Sequence, residues 1–151
     1  MKKFILFIAF ISFNTFAEEM ETITDFMNKN PQWRTDDPTL VHVGTRCATM
    51  MDAVIWRYGD ETRPEIISQR EQAQQIGDIF TFSTSGLAEK INFSSEGYTQ
   101  KYKSWMDYYK AQALENVQKH NNLFYRDFGE DFEVCNANID VFVNLLQRVA
   151  N

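Results

Sequence analysis

Apolar residues recur at three- and four-residue steps through most of the chain, a spacing that predicts helices rather than strands. The clearest run is Leu40 to Tyr58, where Leu40, Val43, Cys47, Met51, Val54 and Tyr58 fall on one stripe. Val41, Ala48 and Ile55 make a second stripe roughly 100° away, which widens the arc that must be buried. Such a helix needs neighbours on more than one side. A cap near Asp37, with Pro38 in the first turn, marks its start, and Gly59 to Pro64 is a compact break after it.

The same pattern places four more elements. Met20, Ile23 and Met27 share one face of a short helix over Glu18 to Asn28. Asn30 to Pro38 holds two prolines and several turn formers, so it reads as a loop, with Trp33 inside it. Glu65 to Phe93 carries a stripe of Ile66, Ala73, Ile76, Phe80, Leu87 and Ile91. Its Thr81 to Gly86 segment is rich in Ser, Thr and Gly, which predicts a kink or break there, with a short strand as the alternative. Ser94 or Ser95 caps a helix over Glu96 to His120, with Tyr98, Tyr102, Met106, Tyr109, Ala113 and Val117 on one face. Asn121 and Asn122 end it, and an aromatic connector, Leu123 to Gly129, leads to a last helix.

That last helix is expected over Glu130 to Val149, with Phe132, Cys135, Ile139, Phe142, Val143 and Leu146 inward. Acidic residues at its start and Arg148 near its end suit the helix dipole. The fold class is therefore all-α: an up-down-up-down four-helix bundle with a short extra N-terminal helix.

The N-terminus sets the expected compartment. Lys2 and Lys3 precede an apolar run, Phe4 to Phe13, broken only by Ser12, and Thr15 and Ala17 are small. This is the layout of an export signal cleaved after Ala17, leaving 18–151 as a single helical domain in the periplasm or secreted. The run is about half the length a bilayer span needs, so no stable membrane anchor is expected after cleavage. Lys2 and Lys3 leave with the leader while every acidic residue stays, which takes the net charge from −6 to −8. An acidic chain of this kind is a poor phosphate-backbone binder, so nucleic acid is excluded as a main partner. In an oxidising compartment Cys47 and Cys135 form the one disulfide available, stapling the first long helix to the last. Two separate buried thiols are the other reading.

Candidate chemistry is sparse. His42 and His120 are the only histidines, on different helices, without the spacing of a metal site, and no haem-attachment motif is present. No cofactor or metal is expected. His42 projects away from the Cys47 stripe and reads as a solvated residue, while His120 suits a helix C-terminus. Asp36-Asp37 and the Glu130, Asp131, Glu133 group stand where helix starts favour negative charge. No motif of nucleophilic or phosphate chemistry occurs, so catalysis has no support in the sequence.

Binding has more. Trp56 lies opposite Cys47 on the helical wheel, and Arg46 and Arg57 share a flank of the same helix. Tryptophan beside arginine is the composition of an interface anchor. Trp33 and Tyr108 are further candidates for an aromatic contact surface. Val134, Val141 and Leu145 form a second apolar stripe on the last helix, which predicts a homodimer or partner face. Two functions of different class follow. One is a small exported binding protein, such as an inhibitor, immunity-type protein, adaptor or chaperone, with a protein partner. The other is a small-ligand carrier or enzyme with a pocket inside the bundle lined by Met51, Phe80, Tyr98, Tyr102 and Tyr109.

Overall fold

Asp36, one residue before the expected cap, starts the central helix. Its carboxylate accepts the Thr39 backbone N–H at 3.1 Å and also the Thr39 hydroxyl, and Pro38 occupies the first turn. The structure is a computed structural model that describes residues 20–150, so the expected leader, 1–17, lies outside the described residues. Six helices follow in order: α1 (Ile23–Lys29), α2 (Asp37–Arg57), α3 (Pro64–Lys90), α4 (Ser95–His120), α5 (Asp127–Ala137) and α6 (Ile139–Ala150). None among the described residues is long and apolar enough to cross a membrane.

Helix α2 is the axis of the fold. From Thr39 to Val54 nearly every residue is buried, on all sides rather than along two stripes. Its buried hydroxyls are satisfied locally, Thr45 donating to Val41 O at 2.6 Å and Thr49 to Arg46 O at 2.8 Å. The neighbours run up and down around it. Arg70 meets the carbonyl of Gly59 near the first connection, and Gly44 faces Thr84 at the far end, so α3 is antiparallel to α2. Helix α4 returns in the sense of α2, pairing His42 with Trp105, Arg46 with Tyr109 and Trp56 with Lys110. Helices α5 and α6 run back again, past Cys47 at Cys135 and past Asp37 at Arg148. The up-down-up-down order therefore holds, and Cys47 and Cys135 are joined.

The structure differs from the expected continuity at two places. Helix α3 is unbroken through Thr81 to Gly86, with no strand there. Ser83 and Thr84 are fully buried, and their hydroxyls fold back onto Phe80 O at 3.1 and 2.7 Å. Small residues there allow close approach: a Cβ on Gly44 would stand 2.1 Å from Thr84 Cγ2 and 2.5 Å from Phe142. The composition that suggested a break is the composition of a tight helix crossing.

The last helix, by contrast, is two. Asn138 ends α5 with its side-chain amide donating to Val134 O at 2.8 Å, while its own oxygen accepts Arg34 at 2.7 Å. The bend turns Phe142 and Leu145 inward. Leu145 is in the core, and Val134 and Val141 are half-buried against it, so that stripe is not the free outward face expected for a homodimer. Ile139, Val143 and Leu146, expected inward, are only half-buried. On α4 the buried face holds Trp105, Tyr109, Ala113 and Asn116, a rotation that leaves Tyr98, Tyr102, Met106 and Val117 half-buried.

Candidate functional site

Trp56 stands in the last turn of α2, past the buried section, and keeps 43 % of its surface exposed. Lys110 of α4 places its ammonium 5.1 Å from the ring centroid, one turn before Leu114, which is 46 % exposed. Trp56, Leu114 and Val117, with Arg57, Asp60 and Gln118 at the edges, line an open groove of about 370 Å3. Trp56 and Leu114 are two of the three large apolar side chains exposed among the described residues; the third is Phe82. Within this groove Arg57 Nε is buried and has no hydrogen-bond partner among the described residues. Lys110, Leu114 and Val117 were missed in the sequence. Their spacing of four and three puts them on one helical face, and that was the available signal.

The other expected contact residues are elsewhere. Trp33 is buried at 5 % exposure, with Arg34 4.9 Å over its ring. Tyr108 is half-buried, edge-on to Tyr109, and accepts a hydrogen bond from Gln112 at 2.8 Å. Arg46 does not share a surface flank with Arg57, because it is inside the protein.

Arg46 is the hub of a buried polar cluster. Its guanidinium is 2.9 Å from the Asp131 carboxylate, with side-chain exposures of 2 % and 1 %. It also donates to Tyr109 Oη at 3.2 Å and to the carbonyl of Glu21 at 2.8 Å. Asp131 accepts further from Tyr109 Oη at 2.7 Å and from the Ile23 backbone N–H at 2.6 Å. Burial pushes the Asp131 carboxyl up, and Arg46, Tyr109 and the Ile23 N–H pull it back. Burial also raises the Tyr109 hydroxyl well above its ordinary value, so it acts as a neutral donor. The cluster ties α1, α2, α4 and α5 together one residue away from the disulfide. Its chemistry is structural: every strong group already has a partner inside the protein.

The pocket expected inside the bundle is divided among unrelated roles. Met51, Phe80 and Tyr109 are wholly buried, Phe80 edge-on to Phe142 at 4.8 Å and Tyr109 in the polar cluster. Tyr102 donates to Asp52, and Tyr98 lines a shallow surface cleft between α3 and α4.

His42 is also displaced from the expected solvated surface. Its ring stacks on Phe26 of α1 at 3.8 Å and meets the edge of Trp105 at 4.7 Å. Burial, aided by the charges of Lys101 and Arg46, lowers its pKa to about 3. The unfolded chain takes up this proton near the ordinary value of 6.5, so between pH 6.5 and 3 it binds more protons than the folded one. Stability is therefore lost as pH falls through that window, by about 3 kcal/mol at pH 4 from this group. Urea unfolding at pH 7 and pH 4 should show that loss in the wild type and a correspondingly smaller one in His42→Phe. Equal acid losses in both would remove His42 from the account. His120 ends α4 as expected and stacks on Tyr125 at 3.7 Å.

Compared with protein-family models, curated proteins and solved structures, the chain matches none, so its reading rests on its own geometry.

Proposed function

We propose that this is a small exported, disulfide-braced binding protein whose contact surface is the Trp56 groove. The observation that carries the reading is the juxtaposition of exposed Trp56 and Leu114 on two different helices with a basic flank, Arg57 and Lys110. Tryptophan and arginine are among the residues that most often dominate binding energy, and here Trp56 lies in the apolar patch with Arg57 at its edge. The partner that fits is a protein segment offering an apolar side chain for the groove and an acidic group for its basic flank, Arg57 and Lys110. A buried cystine and an export-type leader support action outside the cytoplasm.

The test is site-specific crosslinking in the exported fraction. A photo-reactive residue at position 114 should give one discrete protein adduct, and the same residue at exposed Gln100, far along α4, should give none. Trp56→Ala should weaken capture at 114 at least about 30-fold while changing unfolding free energy by less than about 1 kcal/mol. The same adduct pattern at positions 100 and 114 would overturn the assignment. So would a Trp56→Ala protein that is captured as well as the wild type.

A further inference from the structure

The last two turns of α2 have a second side. Val54 and Tyr58, each two residues from Trp56, point the opposite way, into a cleft of about 250 Å3 between α2, α3 and α5. Val54 and Ala73 form its buried floor. Phe124 and Phe132, with ring centroids 4.6 Å apart, form an aromatic wall. Tyr58, Gln69, Gln72 and Asn136 supply the polar groups, and among the lining residues none is charged.

The wall is held in place by two asparagine side chains and a close backbone approach at a glycine. Phe124 belongs to the aromatic connector between α4 and α5, a segment with no regular backbone pairing of its own. Asn116, buried near the C-terminal end of α4, donates its amide to both Leu123 O and Tyr125 O at 3.0 Å, bracketing Phe124. The Phe124 N–H itself is taken by Asn122 Oδ1 at 3.0 Å. Behind it Gly129 lets the connector press against α5, where a Cβ would stand 2.6 Å from Phe124 O. A buried asparagine spent on fixing a surface connector gives the cleft a pre-formed side, which is what small-molecule sites require.

From these features we infer that the cleft is a binding site for a small, uncharged aromatic molecule carrying one or two hydrogen-bonding groups. The size follows from volume: a cavity of about 150 Å3 holds one benzene ring, so this one takes a ring with a short substituent. The neutrality follows from the lining. A carboxylate or ammonium would be desolvated there without any opposite charge to meet it. Amide and hydroxyl groups of Gln69, Gln72, Asn136 and Tyr58 instead match neutral donors and acceptors at the mouth, while the phenylalanine wall takes the ring face. This site is separate from the Trp56 groove, on the other side of the same helix.

Benzamide is the probe, with benzoate and benzylammonium as charged counterparts of the same size, followed by NMR shifts on the full exported chain. Benzamide should bind saturably with a Kd of roughly 0.1–1 mM, moving signals of Val54, Ala73, Phe124 and Asn136. The charged pair should bind at least tenfold more weakly. Ala73→Leu fills the floor and should abolish binding, and Gln72→Trp, at an exposed position on the mouth, should do so without touching the core. No saturation by benzamide below about 10 mM would overturn the site. Equal binding of benzoate, shifts centred on Trp56 and Leu114, or full binding by a folded Gln72→Trp protein would each overturn it as well.

Discussion

Asp131→Ala is expected to cost the protein about 3–5 kcal/mol of unfolding free energy, enough to lower its melting temperature by roughly 10–20 °C. The reason is what the substitution leaves behind. Arg46 stays at 1 % exposure with its charge uncompensated, and Tyr109 Oη and the Ile23 N–H lose the acceptor they share. A domain of this size has only about 5–15 kcal/mol in total, so the loss is a large share of it. The effect should be strongly coupled to Arg46. Removing both partners, as Arg46→Met with Asp131→Leu, should cost clearly less than the sum of the single changes, because no bare charge remains. Urea unfolding of the two single variants and the double measures this directly. A loss under about 1 kcal/mol in Asp131→Ala, or simple additivity in the cycle, would show that water reaches Arg46 and that the cluster is not sealed.

That cluster also marks where the sequence stopped being legible. The all-helical class and the up-down-up-down order follow from local spacing, and the Cys47–Cys135 pairing from there being just two cysteines; the structure has all three, with the last expected helix split in two. What spacing cannot show is which charged residues pair across long separations. Arg46 and Asp131 are 85 residues apart, and each alone has an ordinary local explanation, a helix flank and a helix start. His42 misled for the same reason, since Phe26 and Trp105 enclose it from two other helices. Thr81 to Gly86 failed differently. Propensity favoured a break, but burial against Gly44 and hydroxyls bonded to Phe80 O outweigh it. Asn138, a polar residue amid an apolar repeat, gave no more signal than any helical asparagine until Arg34 was placed on it. Of the Trp56 groove, the α2 half was readable and the α4 half needed the register between the helices.

Loss of the Cys47–Cys135 bond is expected to have the other large effect. The loop it closes spans 88 residues, and cross-linking a loop of that length removes up to about 4–5 kcal/mol of chain entropy from the unfolded state. Only Phe128, Asp131 and Cys135 of α5 are fully buried; Phe128 meets Tyr109 of α4, while the ion pair to Arg46 and the covalent bond to Cys47 tie α5 to α2. Both half-cystines are at or below 1 % exposure, so a reductant added to the folded protein should act only through its unfolding, slowly and with a rate set by denaturant. The measurement is a pair of urea curves, oxidised protein against the Cys47→Ala/Cys135→Ala variant, each with and without Asp131→Ala. The double cysteine variant should lose about 3–5 kcal/mol, of which the void left by two sulfurs is a minor part. Adding Asp131→Ala to it should leave α5 without a hold on α2, so that the combined variant is unfolded, or has lost α5 protection in hydrogen exchange, at 37 °C. A cysteine-free protein that unfolds at the same urea concentration as the oxidised one would mean that the non-covalent contacts of α5, the Arg46–Asp131 ion pair among them, hold it without the bond.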